Sequence, residues 1–321
     1  MKHFKNILIC THPEFTDVEI VDRAAKIAKG SGAAVKVMHV IADYPEDMNS
    51  WWNVRNPKEL HEKILRERQN FVEGIVERVK AAGVTNIESA LRWSKEGQEF
   101  LVVVREVLKH EHDLVVITSR RKNRLAKLVL ECPSLDLFRH CPCALWVTQS
   151  QHKLTKSFKR VAATLRSEGN QVTCTGLNAK VLETAASVAE SEGSELHIVH
   201  ALPVYGGHGL ENNRLHPDLV AHLEKVRHEL KVSANARLDN ESLKLTDERI
   251  HLLAGAPVAV IPDFVSDTGI DLLIMGTVAR GGIPGLLVGN TAEKMLDHVE
   301  CGVLAVKPDD FVSVVTLEEN A

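Results

Sequence analysis

Between Gly276 and Thr291 the chain carries the residues best suited to holding an anion. Gly276, Gly281, Gly282, Gly285 and Gly289 punctuate this stretch, with Pro284 among them, so the backbone must loop. Arg280 places a cation in the loop. Asn290 is a good helix N-cap, Glu293 stands three residues on as in a capping box, and Thr291 adds a hydroxyl. Unbonded N–H groups and the dipole at a helix start both favour negative charge, so the pattern points to phosphate. The same glycines also suit a plain connector, with the Asn290 side chain capping the amides itself. Both readings stand at this stage.

Other candidate groups carry less. Cys132, Cys141 and Cys143, with His140, contain metal-ligating atoms. Their C-x-C spacing is tighter than the usual zinc pair, and buried small hydrophobes are the better reading. Ser119 to Lys127 holds five cations, Arg120, Arg121, Lys122, Arg124 and Lys127, without interleaved aromatics, which reads as a solvated basic loop. His216, His222 and His228 recur every six residues, a spacing that scatters them around a helix. Gly206-Gly207-His208-Gly209 lacks the G-K-S/T ending of a P-loop and reads as a lid or simple loop. His12, near the end of the first strand, is a candidate contact. No G-x-S-x-G or H-E-x-x-H pattern occurs, and neither catalytic nor metal-ligating residues are expected.

The elements that must position these groups follow from hydrophobic period. Apolar runs at Asn6–Cys10, Ala34–Ile41, Asn86–Trp93, Leu114–Thr118 and Ala144–Thr148 read as strands. Between them lie helical patterns: Val18 to Ala28, opened by a Thr16/Glu19 capping signal, a long helix from Pro57, then Glu99–His110 and Ser134–His140. Strand and helix alternate as in a parallel sheet covered on both faces. A polar break at 150–157 separates this from a second series. There Arg160–Leu165 and Leu196–Leu202 are strands, Leu177–Gly193 is a helix and Pro217 opens another. Gly255 and Pro257 precede a third helix, with Pro262 near its start or kinking it, followed by the strand Leu272–Met275, the glycine loop, a helix from Asn290 and the strand Val303–Val306.

Bulk properties fit two ordinary domains. The 321 residues carry 39 basic and 43 acidic side chains, net charge −4, which gives no reason to expect nucleic-acid or membrane partners. No apolar run reaches the ~18–20 residues of a membrane span. The N-terminus lacks the apolar core of a signal peptide, so a cytoplasmic protein with reduced thiols is expected.

The second series repeats the first. Gly97 and Gly255, Asp113 and Asp271, His140 and His298, and Cys143 and Cys301 all stand 158 residues apart. Thr11 and Thr164, at the ends of the first strands, stand 153 apart. Domains are therefore expected at 1–150 and 156–309, with an acidic C-terminal tail at 310–321.

The duplication and the segment from Leu252 to Pro308 resemble the tandem members of the universal stress protein family, strongest over residues 250–309. The resemblance implies an α/β fold of two Rossmann-like domains, each a five-stranded parallel sheet of order 3-2-1-4-5, pairing as an intrachain pseudo-dimer. Further protein partners and a homodimer are also open. Nucleotide-binding members carry G-x-x-G, nine residues, then G-S/T. Here Gly276 and Gly289 match, Ala279 replaces a glycine, and Asn290 replaces the hydroxyl, with Thr291 next to it. The acidic residue usual at the first strand's end is Thr164. The resemblance thus implies a site of Thr164, Ala201, Gly276, Thr277, Ala279, Arg280, Gly289, Asn290 and Thr291. Its ligand would be ATP, another nucleotide or a nucleotide-linked metabolite. The first half has Thr118, Arg121, Glu131 and Cys132 at the loop positions and Thr11 at the strand end, so it is expected to bind no nucleotide this way.

Overall fold

A computed structural model describes residues 4–13, 16–43, 57–95, 97–121, 130–131, 134–149, 157–166, 173–202, 210–211, 214–215, 217–277 and 290–317. The chain divides into two units, one carrying the first series of elements and the segment from Val312, the other carrying the second series.

In the first domain the order is β1 (Asn6–Thr11), α1 (Val18–Ser31), β2 (Ala34–Asp43), α2 (Pro57–Ala81), β3 (Ile87–Lys95), α3 (Glu99–His110), β4 (Leu114–Arg121), β5 (Leu130–Glu131), α4 (Ser134–His140) and β6 (Ala144–Gln149). The sheet runs β3-β2-β1-β4-β6, all parallel, and β5 adds a short antiparallel pairing to β4. In the second domain the order is β7 (Arg160–Thr164), α5 (Gly176–Glu192), β8 (Glu195–Leu202), β9 (Leu210–Glu211), β10 (Arg214–Leu215), α6 (Pro217–Asn235), β11 (Ile250–Ala254), α7 (Pro257–Thr268), β12 (Leu272–Gly276), α8 (Asn290–His298) and β13 (Gly302–Val306). Its sheet runs β11-β8-β7-β12-β13, again parallel, while β9 and β10 form a separate two-stranded pair. Both domains have the 3-2-1-4-5 order expected of the fold.

Central strands are apolar on both faces because helices cover both. Ile7, Leu8, Leu114, Val115, Val116, Ile274, Leu304 and Ala305 are completely buried. Parallel strands need long crossovers, and each helix buries one stripe: Ala292, Met295, Leu296 and Val299 on α8, as the spacing predicts. Asp113 and Asp271 do the same work in the two domains. The Asp113 carboxylate accepts the backbone N–H groups of Lys5 (2.7 Å) and Asn6 (3.1 Å), and Asp271 those of Lys159 (2.6 Å) and Arg160 (3.0 Å). Each ties the start of the first strand to that of the fourth.

Three sequence expectations change. The strand patterns of the second series place no strand between the helix opened by Pro217 and Gly255, yet Ile250–Ala254 forms the edge strand beside β8, the fifth strand that the family resemblance implies. Helix α1 is capped by Asp17 instead of Thr16: the Asp17 carboxylate accepts the Glu19 N–H at 3.0 Å, and Thr16 Oγ1 accepts the His12 N–H at 2.5 Å. Asp17 stands directly before the first helical residue, where a cap must be, and Thr16 is one position too early. Finally, Asn6 and Arg160 occupy the same place in the two sheets, a separation of 154. This puts Thr11 opposite Leu165, and Cys10 opposite Thr164, so the two threonines are not equivalent.

Candidate functional site

In the second domain the carboxyl ends of β8, β7 and β12 lie side by side. After β7 the chain crosses through α5 toward β8, and β12 lies on the other side of β7, so the connections part between β7 and β12. Open α/β sheets bind ligands at such a reversal. Arg166 just past β7 and Thr173 before α5 are both held by Asn178, which is 2 % exposed. Its side chain accepts from the Arg166 N–H (3.0 Å) and donates to the carbonyls of Arg166 and Thr173 (both 2.8 Å). The connection from β12 to α8 must begin on this same edge, because β13 is parallel to β12.

Four residues of the expected site reach this edge within the described structure. Thr164 donates its hydroxyl to the Ile274 carbonyl at 3.3 Å. Ala201 pairs with Leu253 on β11 and is half-buried. Thr277 is buried and directs both its N–H (3.0 Å) and its hydroxyl (3.3 Å) to the Val306 carbonyl. Gly276 ends β12, and a Cβ built there would stand 2.5 Å from Leu177 Cδ2 and 2.8 Å from Leu177 Cγ. The volume a side chain would need is filled by Leu177, so this glycine permits close packing of α5 on β12. Asn290 and Thr291 form the first turn of α8. Ala279, Arg280 and Gly289 lie outside the described residues, as do the side chains of Asn290 and Thr291.

Sequence reasoning missed Leu177, Asn178, Lys180 and Lys307. Lys180 on α5 donates to the Lys307 carbonyl (3.0 Å) and pairs with the exposed Asp309 (2.6 Å). The Lys307 ammonium, just past β13, stands 4.5 Å over the Phe311 ring. A lysine placed straight after a buried strand was the available signal for Lys307.

The first domain ends its strands differently. Thr118 pairs with Thr148 across β4 and β6, and Thr11 follows Cys10, which pairs with Ile117. All three threonines are buried. Thr11 donates to the Met38 carbonyl (3.2 Å), Thr148 to the Ile117 carbonyl (3.4 Å), and Thr118 Oγ1 accepts the Asp17 N–H (3.2 Å). Burial raises the Asp17 pKa to about 6, helped by the hydrogen bond and charge of Glu19. The His12 ring stands 6.0 Å from His39, edge to face. His39 Nδ1 donates to the Thr11 carbonyl (2.7 Å), and His200 Nδ1 to the matching Leu165 carbonyl (2.8 Å). Burial lowers both histidine pKa values, which favours the neutral imidazole, and each ring serves to tie the first strand's end to the second strand.

The layer beneath α3 also differs from its counterpart beneath α7. In the first domain Glu106 accepts from Lys36 at 2.7 Å, with Arg92 at 3.4 Å and His110 at 3.5 Å. Burial pushes the Glu106 carboxyl up, but the Lys36 hydrogen bond and the surrounding cations bring it below the usual range. At the matching place in the second domain, His197 Nδ1 meets His251 Nε2 at 3.0 Å, and Phe264 packs on the His251 ring at 4.5 Å. Burial, with the charges of His197 and Arg227, lowers the His251 pKa to about 4.

Cys141, Cys143, Cys174 and Cys301 are thiols, and no cluster of metal-ligating side chains occurs among the described residues. Cys132, the glycine run at 206–209, His216 and Lys122 to Lys127 lie outside them. No described helix is long and apolar enough to cross a membrane.

The Universal stress protein family matches residues 3–149 and 176–307, one stretch in each domain. The chain belongs to the universal stress protein family. It carries two universal stress domains in tandem, as in the relatives it resembles over its whole length. Universal stress protein E of Salmonella typhi and of Escherichia coli (strain K12) are each 26% identical over 322 residues, covering 100% of this chain and 99% of theirs. The Universal stress protein E homolog of Haemophilus influenzae is 22% identical, covering 95% of this chain and 98% of its own. Among solved structures, a putative universal stress protein from Pseudomonas aeruginosa UCBPP-PA14 superposes with TM-score 0.65 at 21% identity, covering 96% of this chain and 94% of that one. One from Archaeoglobus fulgidus gives TM-score 0.63 at 14% identity, covering 95% and 97%. These tandem universal stress proteins share the fold, and the family places this protein in the stress response.

Proposed function

We propose that this protein is a cytoplasmic, non-enzymatic stress-response regulator that holds one phosphate-bearing ligand at the carboxyl edge of its second domain. The ligand class is a nucleotide or a nucleotide-linked metabolite, with ATP the first candidate. The observation that carries this reading is that β12 ends at Gly276 beside the β7/β12 reversal and a nine-residue helix starts at Asn290, with a glycine-rich sequence between them. Gly276, Arg280, Gly289, Asn290 and Thr291 are assigned to the phosphate side, Thr277 to the strand end behind it, and Thr164 and Ala201 to the nucleoside side. Ala279 stands where the family pattern has its second glycine. The two domains act as an intrachain pseudo-dimer, a reading supported by their duplication, and protein partners receive the signal.

A second reading has its own support. Leu177 occupies the space beside Gly276, which accounts for that glycine without any ligand. On this reading the protein is a scaffold that works through surface contacts alone. Native mass spectrometry of purified protein separates the two. The ligand reading expects adducts of nucleotide mass, one per chain; a bare chain under gentle conditions, with no adduct after incubation with ATP, favours the scaffold.

A further inference from the structure

The first domain holds two thiols side by side where the second holds one. Cys141 and Cys143 flank Pro142 in the corner between α4 and β6, and their sulfurs are 3.5 Å apart. That is van der Waals contact, about 1.5 Å from the length of a disulfide. Cys141 is fully buried, and Cys143 is half-buried. The position matching Cys143 is Cys301, buried before β13, and the position matching Cys141 is Val299. The duplication therefore supplies an internal control, a thiol in the same corner of the same fold with no neighbouring thiol two residues before it.

We propose that Cys141 and Cys143 form a reversible disulfide when the protein meets a hydroperoxide. The Cys143 thiolate attacks the nearer peroxide oxygen; the O–O bond breaks, Cys143 becomes a sulfenic acid, and the departing hydroxide or alkoxide takes up a proton. The Cys141 thiolate then attacks the Cys143 sulfur. The S–S bond forms, the S–O bond breaks, and hydroxide leaves as water. Two thiols are oxidised and one peroxide is reduced, and a dithiol such as reduced thioredoxin reverses the change by exchange. The hydrogen-bond contact with Cys141, together with burial, raises the Cys143 thiol well above its ordinary pKa, so the first step is slow and the second, between touching sulfurs, is fast. The proposal does not depend on the ligand assigned to the second domain.

The test treats the full-length protein with hydrogen peroxide, quenches in acid, alkylates in denaturant and maps tryptic peptides by mass. The expected result is loss of two hydrogens from the peptide spanning residues 140–153, no alkylation at either of its cysteines, and restoration by reduced thioredoxin. Cys301 stays fully alkylated in the same sample. In Cys141→Ser, with native circular dichroism, the bridge is lost and dimedone traps a sulfenic acid on Cys143. Oxidation of Cys141 and Cys143 no faster than Cys301, conversion straight to sulfonic acids, or a bridge from either residue to another cysteine or another chain would overturn the proposal.

Discussion

The two universal stress domains agree in strand order and differ in what closes the carboxyl ends of their strands. In the first domain Thr11, Thr118 and Thr148 stand at those ends, and the Thr118 hydroxyl receives the N–H of the helix cap Asp17. In the second, the matching places hold Leu165, Gly276 and Val306, and Leu177 lies on the glycine. One domain thus joins its first helix to its fourth strand by a hydrogen bond, the other by apolar packing. The layer under the third helix shows the same contrast with the polarity kept: a buried ion pair in one, a histidine pair under a phenylalanine in the other. The fold tolerates either solution because each pairs its own central groups, Lys36 with Glu106 and His197 with His251. A mixture of the two would leave a buried group without a partner.

The largest effect should come from breaking that last rule in the first domain. Glu106→Gln leaves the buried Lys36 ammonium with only the exposed Glu88 carboxylate at 3.3 Å and should cost about 3 kcal/mol in urea unfolding. Replacing both, as Lys36→Met with Glu106→Leu, removes the under-paired charge along with its partner and should recover most of that loss. If the single variant unfolds like the parent, the pair contributes nothing.

Next in size is the glycine. Gly276→Ala forces Cβ into Leu177 and should destabilise by about 1–3 kcal/mol. Adding Leu177→Ala makes room and should cost less than the two single changes summed, as a double-mutant cycle would show. Strict additivity would mean that the contact is not what excludes a side chain.

Acid should separate the domains by sign. His251 is held below its unfolded value of 6.5, so its neutral form contributes stability that is present above pH 6.5 and lost as pH falls toward about 4. Asp17 is held above its ordinary value, at about 6, so its contribution is full below pH 3.8 and lost as pH rises through about 6. His251→Gln should therefore flatten the acid-side loss, and Asp17→Asn the opposite slope, in unfolding free energies measured from pH 4 to 7. Equal slopes in parent and variants would remove both assignments.

The smallest effect concerns a helix end. Glu111 closes α3 at φ 55, a left-handed conformation, while the matching residue after α7 is Gly269 at φ 64. Glu111→Gly should raise stability by about 0.5–1 kcal/mol, seen as a higher thermal midpoint.

The order of elements and the duplication were legible because buried strands and amphipathic helices have distinct periods, and because glycines, aspartates and cysteines repeat at one spacing. What escaped was short or distant. β11 is five residues with His251 second among them, which breaks the apolar run that marks the other strands. Shifting β3 along the repeat would have revealed it. The Thr11/Thr164 match was a coincidence of residue type, and only the sheet register shows the one-residue slip. Leu177 and Gly276 are far apart in sequence, so nothing local announces that the glycine serves packing. The candidate site was legible as a glycine loop before a helix. The groups that brace its edge, Asn178 and Lys180, lie on another helix and needed the fold.

The claim that most needs testing is that the second domain, and only the second, binds a phosphate-bearing ligand. Titration calorimetry with ATP, ADP and a uridine diphosphate sugar, on the parent and on Gly289→Asp, addresses it directly. The account predicts saturable heat with one site per chain for at least one of them, abolished by Gly289→Asp. No heat at ~1 mM ligand, where binding of about −4 kcal/mol would register, or heat that survives Gly289→Asp, would contradict it.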